Sequence, residues 1–136
     1  MFTITATHKH TNTRRTNTSI TNRYLKRTQK TFECFEDGTT ECKRWIKSRK
    51  LHRINSPAII SYFKNGTIRY EAWYRDGELH RLNAPARIQY FENGTWSESW
   101  YKDGNYYRLG APAIIRYFEN GTIEYEEWFK DGELII

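Results

Sequence analysis

The sequence predicts an all-β fold, an antiparallel meander of repeated β-hairpins preceded by a basic, extended N-terminal arm. Three observations predict it. Trp45, Trp73, Trp100 and Trp128 recur at intervals of 28, 27 and 28 residues. Within the copies stand two kinds of turn signal, Asn-Gly-Thr and Asp-Gly, among β-branched and aromatic runs that read as paired strands. Aromatic residues reach 16% of a chain whose hydrophobic share is only 38%, which favours sheet surfaces built from rings over an aliphatic helical core.

The first element, residues 1–31, holds ten Thr, three Asn and seven cations (Lys9, Arg14, Arg15, Arg23, Lys26, Arg27, Lys30) without an Asp or Glu. Of 22 Lys and Arg these seven lie in the arm, so residues 32–136 carry fifteen against sixteen acids. The basic pI of 9.4 is therefore a property of the arm. Such a segment buries too little apolar surface to offset its ordering entropy and is expected to be extended on its own. Its alternating start, Phe2, Ile4 and Ala6 separated by Thr3 and Thr5, can still add as a strand to a sheet edge.

Residues 32–136 divide into copies at about 32–57, 58–85, 86–112 and 113–136, joined at Asn55-Ser56-Pro57-Ala58, Asn83-Ala84-Pro85-Ala86 and Gly110-Ala111-Pro112-Ala113. A three-residue loop Lys64-Asn65-Gly66 sets Tyr62 opposite Ile68, Ile60 opposite Tyr70 and Ala58 opposite Ala72, which makes one face apolar. The same register sets Ser61 against Arg69 and Arg116 against Glu124. At Arg75-Asp76-Gly77 it pairs Trp73 with Leu79 and Glu71 with Arg81, and in copy three Trp100 with Tyr106 and Glu98 with Arg108. Copy three is one residue short between Gly94 and Trp100, so a bulge or register adjustment is expected there. After each Asp-Gly turn the chain is read as running past the Pro into the next long strand, two strands per repeat. A third short strand with a real turn at the Pro is the open alternative. Asp131 to Ile136, part-way through the last unit, leave an edge strand that a second molecule could cover.

At Tyr74-x-x-Gly77-x-x-His80, with Trp73 and Asp76 beside it, the chain resembles MORN-type repeats, in the longer variant Trp-Tyr-x-Asp-Gly-x-x-His-Arg-x-x-x-Pro-Ala. Such arrays are found in large DNA viruses of protists and in antitoxin-like bacterial proteins. The resemblance covers residues 32–136 and implies a single curved sheet that acts as a scaffold for protein or membrane contact, without catalysis. It also makes a virion component or host-interaction protein the implied setting. The chain departs from the family where His52 and His80 are followed by Arg53 and Arg81 instead of Gly-x-Gly, and where Ser48-Arg49 replaces Asp-Gly.

No residues present a catalytic pattern. The carboxylates Glu71, Asp76, Glu98, Asp103, Glu126 and Asp131 recur at the repeat period, whereas a hydrolytic site breaks symmetry, and no phosphate loop, nucleophile elbow or HExxH motif occurs. His52 and His80, a repeat apart, lack a four-ligand set and are expected to pack against Tyr and Trp. Cys34 and Cys42 occupy tyrosine positions of later copies and read as small buried thiols, which fits a reducing compartment. The Asn-Gly-Thr sites match the glycosylation sequon, but turn chemistry accounts for them. With no apolar leader block or membrane-length run, the expected setting is cytoplasmic or virion and not secretory, with an organelle transit peptide as a further reading of the arm.

The expectation is a non-enzymatic interaction protein with no cofactor, no metal and no small-molecule substrate. Its sheet would offer Tyr62, Tyr70, Tyr90, Trp96, Tyr117 and Tyr125 as an interaction face to a protein partner or an assembly. The cations of the arm would tether it to a neighbouring subunit or acidic surface. The alternative is a nucleic-acid or anionic-membrane binder acting through that arm.

Overall fold

The computed structural model describes residues 3–6 and 27–136, and these form an all-β structure of sixteen strands with no helix. Nine long strands carry the main sheet: β1 (Thr3–Ala6), β2 (Gln29–Cys34), β3 (Thr40–Lys47), β5 (Ile59–Tyr62), β6 (Ile68–Ala72), β9 (Arg87–Tyr90), β10 (Trp96–Ser99), β13 (Ile114–Tyr117) and β14 (Ile123–Glu127). They are ordered as in the chain, with antiparallel neighbours from β2 onward. The first edge is different: β1 pairs with β2 in parallel, Thr3 opposite Gln29 through Ala6 opposite Phe32. β2 begins three residues inside the span read as arm.

Between the long strands sit short hairpins: β7 (Tyr74–Arg75) with β8 (Glu78–Leu79), β11 (Tyr101–Lys102) with β12 (Asn105–Tyr106), and β15 (Phe129–Lys130) with β16 (Glu133–Leu134). In copy one β4 (Lys50–Leu51) pairs with the end of β3 instead. The segment after Asp-Gly therefore does not run straight into the next long strand. It forms a separate short strand and turns at Asn-x-Pro, where Asn55 and Asn83 both take φ of +61. That is the alternative left open by the sequence.

The turns explain this. Asp76 and Gly77 both have positive φ, 49 and 86, the two-residue turn whose twist matches a hairpin. Tyr74 thus faces Leu79 and Tyr101 faces Tyr106, one residue later than the expected Trp73 and Trp100 pairings, and Glu71 with Arg81 and Glu98 with Arg108 are not strand partners. Ser48 and Arg49, at φ 50 and 63, adopt the same turn without a glycine.

The Asn-Gly-Thr turn is the expected three-residue loop. Phe63 N–H donates to Thr67 C=O and Gly66 N–H to Phe63 C=O, and Tyr62 lies opposite Ile68. Beyond that pair the expected register fails. Ser61 faces Tyr70, Ile60 faces Glu71 and Ile59 faces Ala72, because Arg69 is extruded as a bulge. Glu41 and Glu124 are the extra residues of the equivalent bulges in copies one and four. Copy three, where a bulge was expected, pairs without interruption from Tyr90–Trp96 to Arg87–Ser99. The residue it lacks is the bulge residue.

The bulge decides the faces. One row across the sheet runs Lys43, Ile60, Glu71, Ile88, Glu98, Ile115 and Glu126. The adjacent row, on the opposite face, runs Cys42, Ser61, Tyr70, Gln89, Ser97, Arg116 and Tyr125. The core is thin and sits near the joints: Trp45, Ala58, Ala72, Ala86, Tyr101, Ala113 and Ile115 are buried, the four alanines completely. Each of Trp45, Trp73 and Trp100 donates its backbone N–H to one of these alanines, Ala58, Ala86 and Ala113.

Candidate functional site

The motif residues that invited a site reading are taken up in joining copies. His52 Nδ1 accepts the backbone N–H of Asp76 at 3.0 Å, and His80 Nδ1 that of Asp103 at 3.1 Å. His52 and His80 of one copy thus cap the turn of the next through Nδ1. The Asp carboxylates lie at 3.1 and 3.0 Å from the same nitrogens. Hydrogen bonds from Gly77 N–H to Leu51 C=O and from Gly104 N–H to Leu79 C=O complete the joint.

The arginine after His52, His80 or Tyr107 does the second job. Arg53 lies 3.7 Å from the Trp45 ring centre, Arg81 3.8 Å from Trp73 and Arg108 3.7 Å from Trp100. Their Nη1 atoms donate to the carbonyls of Pro57, Pro85 and Pro112 at 3.2, 3.1 and 3.1 Å. The Trp, His-Arg and Pro-Ala of the repeat are thus one lock: a guanidinium clamped between an indole face and the loop it closes. The sequence spacing alone did not reveal this, because the partners meet only once the short hairpin has folded back.

The expected interaction face divides. Tyr62, Tyr90, Trp96 and Tyr117 share the face of the Glu-Ile row, where Trp96 and Tyr117 stack with centroids 4.7 Å apart. Tyr70 and Tyr125 lie on the opposite face, moved there by the bulge. Tyr117 Oη donates to Glu98 Oε2 at 3.4 Å, and Arg116 and Glu124 form an ion pair at 2.9 Å that brings the bulge residue back onto the sheet. Arg44 and Glu33 form another.

Tyr70 is held among Tyr74 and Arg87. Burial first, then the Tyr74 hydroxyl beside it, pushes its pKa up to about 12, and burial raises Tyr101 as well. An acid whose pKa is higher folded than unfolded keeps its proton longer in the folded state, so stability is intact below pH 10 and falls as pH rises from 10 toward 12. The expected result is a lower urea midpoint at pH 11 than at pH 8, with Tyr70→Phe showing a smaller drop between the two. An equal drop in both proteins would remove Tyr70 from that balance.

Of the seven arm cations, Lys9, Arg14, Arg15, Arg23 and Lys26 lie outside the described residues, and Arg27 is exposed. Lys30 is not part of a free arm. It sits in β2 with its ammonium 4.6 Å from the Phe32 ring and 5.1 Å from Trp45, and burial, with Lys43 and Arg53 nearby, lowers its pKa. Both cysteines are free, Cys42 buried and Cys34 half-buried, and burial raises the Cys42 thiol pKa. Among the described residues no three His, Cys, Asp or Glu side chains converge as for a metal ion.

What sequence reading missed lies along the loop edge. Ile54, Leu82 and Leu109, one per copy directly after His-Arg or Tyr-Arg, are 72%, 63% and 86% exposed. Between the loops of copies one and two a groove of about 770 Å³ opens, lined by Ile54 and Leu82 together with cationic side chains. Their recurrence was the available signal: an aliphatic residue at the same place in a polar loop, three times over. No family model, curated protein or solved structure matches the chain.

Proposed function

We propose that this chain is a non-enzymatic interaction protein of the MORN-like kind, its repeat sheet a scaffold for a protein partner and its basic arm a tether to a neighbouring subunit or acidic surface. The observation that carries the reading is the lock at each joint. The recurring Trp and Arg close each copy and His and Asp join one copy to the next, and what remains outward is contact surface: Ile68, Tyr90, Phe118, Ile123 and Tyr125 are 38%, 37%, 45%, 50% and 44% exposed. Apolar surface spread along a sheet is the ordinary material of protein interfaces. The resemblance of the repeat unit to viral and antitoxin-like arrays supports the same class, with a virion or host-contact role as its viral form.

The composition of residues 1–31, seven cations with no acid, supports a second reading in which the arm binds nucleic acid or an anionic membrane. Full-length chain and a chain beginning at Arg27 separate the two. On the scaffold reading the shortened chain keeps its melting transition but loses its place in the assembly, and full-length binding to duplex DNA or anionic liposomes is weak. On the second reading that binding is strong and collapses with added salt. Undiminished partner retention by the shortened chain would overturn the tether.

A further inference from the structure

The groove between copies one and two is charged unlike its neighbour. It carries Lys47, Arg53, Arg75 and Arg81 against one carboxylate, Asp76. The positions one repeat along also carry four cations and one carboxylate, Arg75, Arg81, Lys102, Arg108 and Asp103, but the turn beside them adds Asp76 and Glu78, which line the cavity there. The difference arises in the turn of copy one, where Lys47-Ser48-Arg49-Lys50 stands in place of Arg75-Asp76-Gly77-Glu78, so that two carboxylates are missing from that turn. At this turn the repeat departs from its later copies in charge.

We propose that this groove binds an acidic peptide segment of a partner protein in the polyproline-II conformation, with two aliphatic side chains three residues apart. The proposal rests on the scaffold reading and names its partner chemistry. Arg53 and Arg81 are held in place by their indoles and proline carbonyls, so little side-chain entropy is lost when a carboxylate arrives at their remaining N–H groups. Lys47 and Arg75 are exposed and supply further charge. Ile54 and Leu82 occupy equivalent positions of adjacent copies, which two strand spacings separate by roughly 9.6 Å, and three residues of a polyproline-II peptide, whose side chains return to one side every third residue, span about 9.3 Å. The two aliphatic anchors thus fall in step with the repeat.

Other polyanions fit less well. One face of the Trp73 ring already carries the Arg81 guanidinium, which occupies the place a stacked base would take there. A bilayer surface presents no narrow acidic chain to enter a concave groove.

The test is fluorescence polarisation of the full-length chain with a labelled peptide of glutamates carrying two leucines three positions apart. Saturable binding is expected, weakened about tenfold or more by Lys47→Glu with Arg75→Glu, and by a comparable factor when both peptide leucines become alanine. Lys102→Glu, in the neighbouring groove, is expected to change it less than about twofold. Unaltered melting of these surface variants shows that the fold is intact. The proposal is overturned by absence of saturable binding, by indifference to Lys47→Glu with Arg75→Glu, which would place the peptide on the arm, or by full displacement with duplex DNA or phosphatidylserine vesicles. None of these results depends on the arm deletion, so the groove and the scaffold reading fail separately.

Discussion

Trp45→Ala is expected to destabilise the chain by about 3–5 kcal/mol, the range for deleting a large buried aromatic side chain. Trp45 is 4% exposed, and its ring is the surface on which the Arg53 guanidinium and the Lys30 ammonium rest. Removing it leaves a cavity in the thin buried core at the joint. It also releases Arg53 from the position in which it reaches the Pro57 carbonyl. A double-mutant cycle with Arg53→Met measures the second part, and a coupling of roughly 0.5–2 kcal/mol is expected from a cation over an indole. Equilibrium urea unfolding gives both quantities. A loss below about 1 kcal/mol for Trp45→Ala would mean that the joints are not where the fold is held.

Deleting one residue is expected to have opposite consequences in adjacent copies. Removal of Arg69 takes out the extruded residue and leaves Thr67-Ile68-Tyr70-Glu71, the arrangement copy three already uses as Thr95-Trp96-Ser97-Glu98. The expected cost is no more than about 1 kcal/mol, that of an ordinary point change. Removal of Ser97 has no bulge to absorb it. Every side chain from Glu98 to Trp100 would pass to the other face, taking Trp100 from Ala113 and Arg108 and carrying the fully buried Ser99 outward. A broadened or lost unfolding transition is expected for this deletion, by circular dichroism and urea titration, and a sharp near-native one for the Arg69 deletion. Equal behaviour of the two would refute the assignment of Arg69 as the spare residue.

Much of the architecture was legible because it is written in local terms. Asn65-Gly66-Thr67 specifies its loop through residues that tolerate positive φ and through Asn65 Oδ1, which accepts from the N–H and hydroxyl of Thr67. Asp76-Gly77 specifies a tighter turn, and the three-residue reading given to it displaced Trp73 by one position. The tyrosine face was half legible: Tyr62 pairs as expected before the bulge, and Tyr70 fails to because it comes after. The groove was not legible at all, since Lys47 and Arg75 are 28 residues apart and each alone is an ordinary surface cation.

The order of residues determined the period, the all-β class, the place of the Asn-Gly-Thr and Asp-Gly turns and the concentration of positive charge in the first 31 positions, because turn geometry and composition depend on a few neighbouring residues. Only the tertiary structure decided which side of the sheet each side chain takes, because a single extruded residue inverts everything that follows it. The same holds for the locks: His52 finds Asp76 across 24 positions, a distance over which no local preference acts and only the stacking of one hairpin on the next brings the two together.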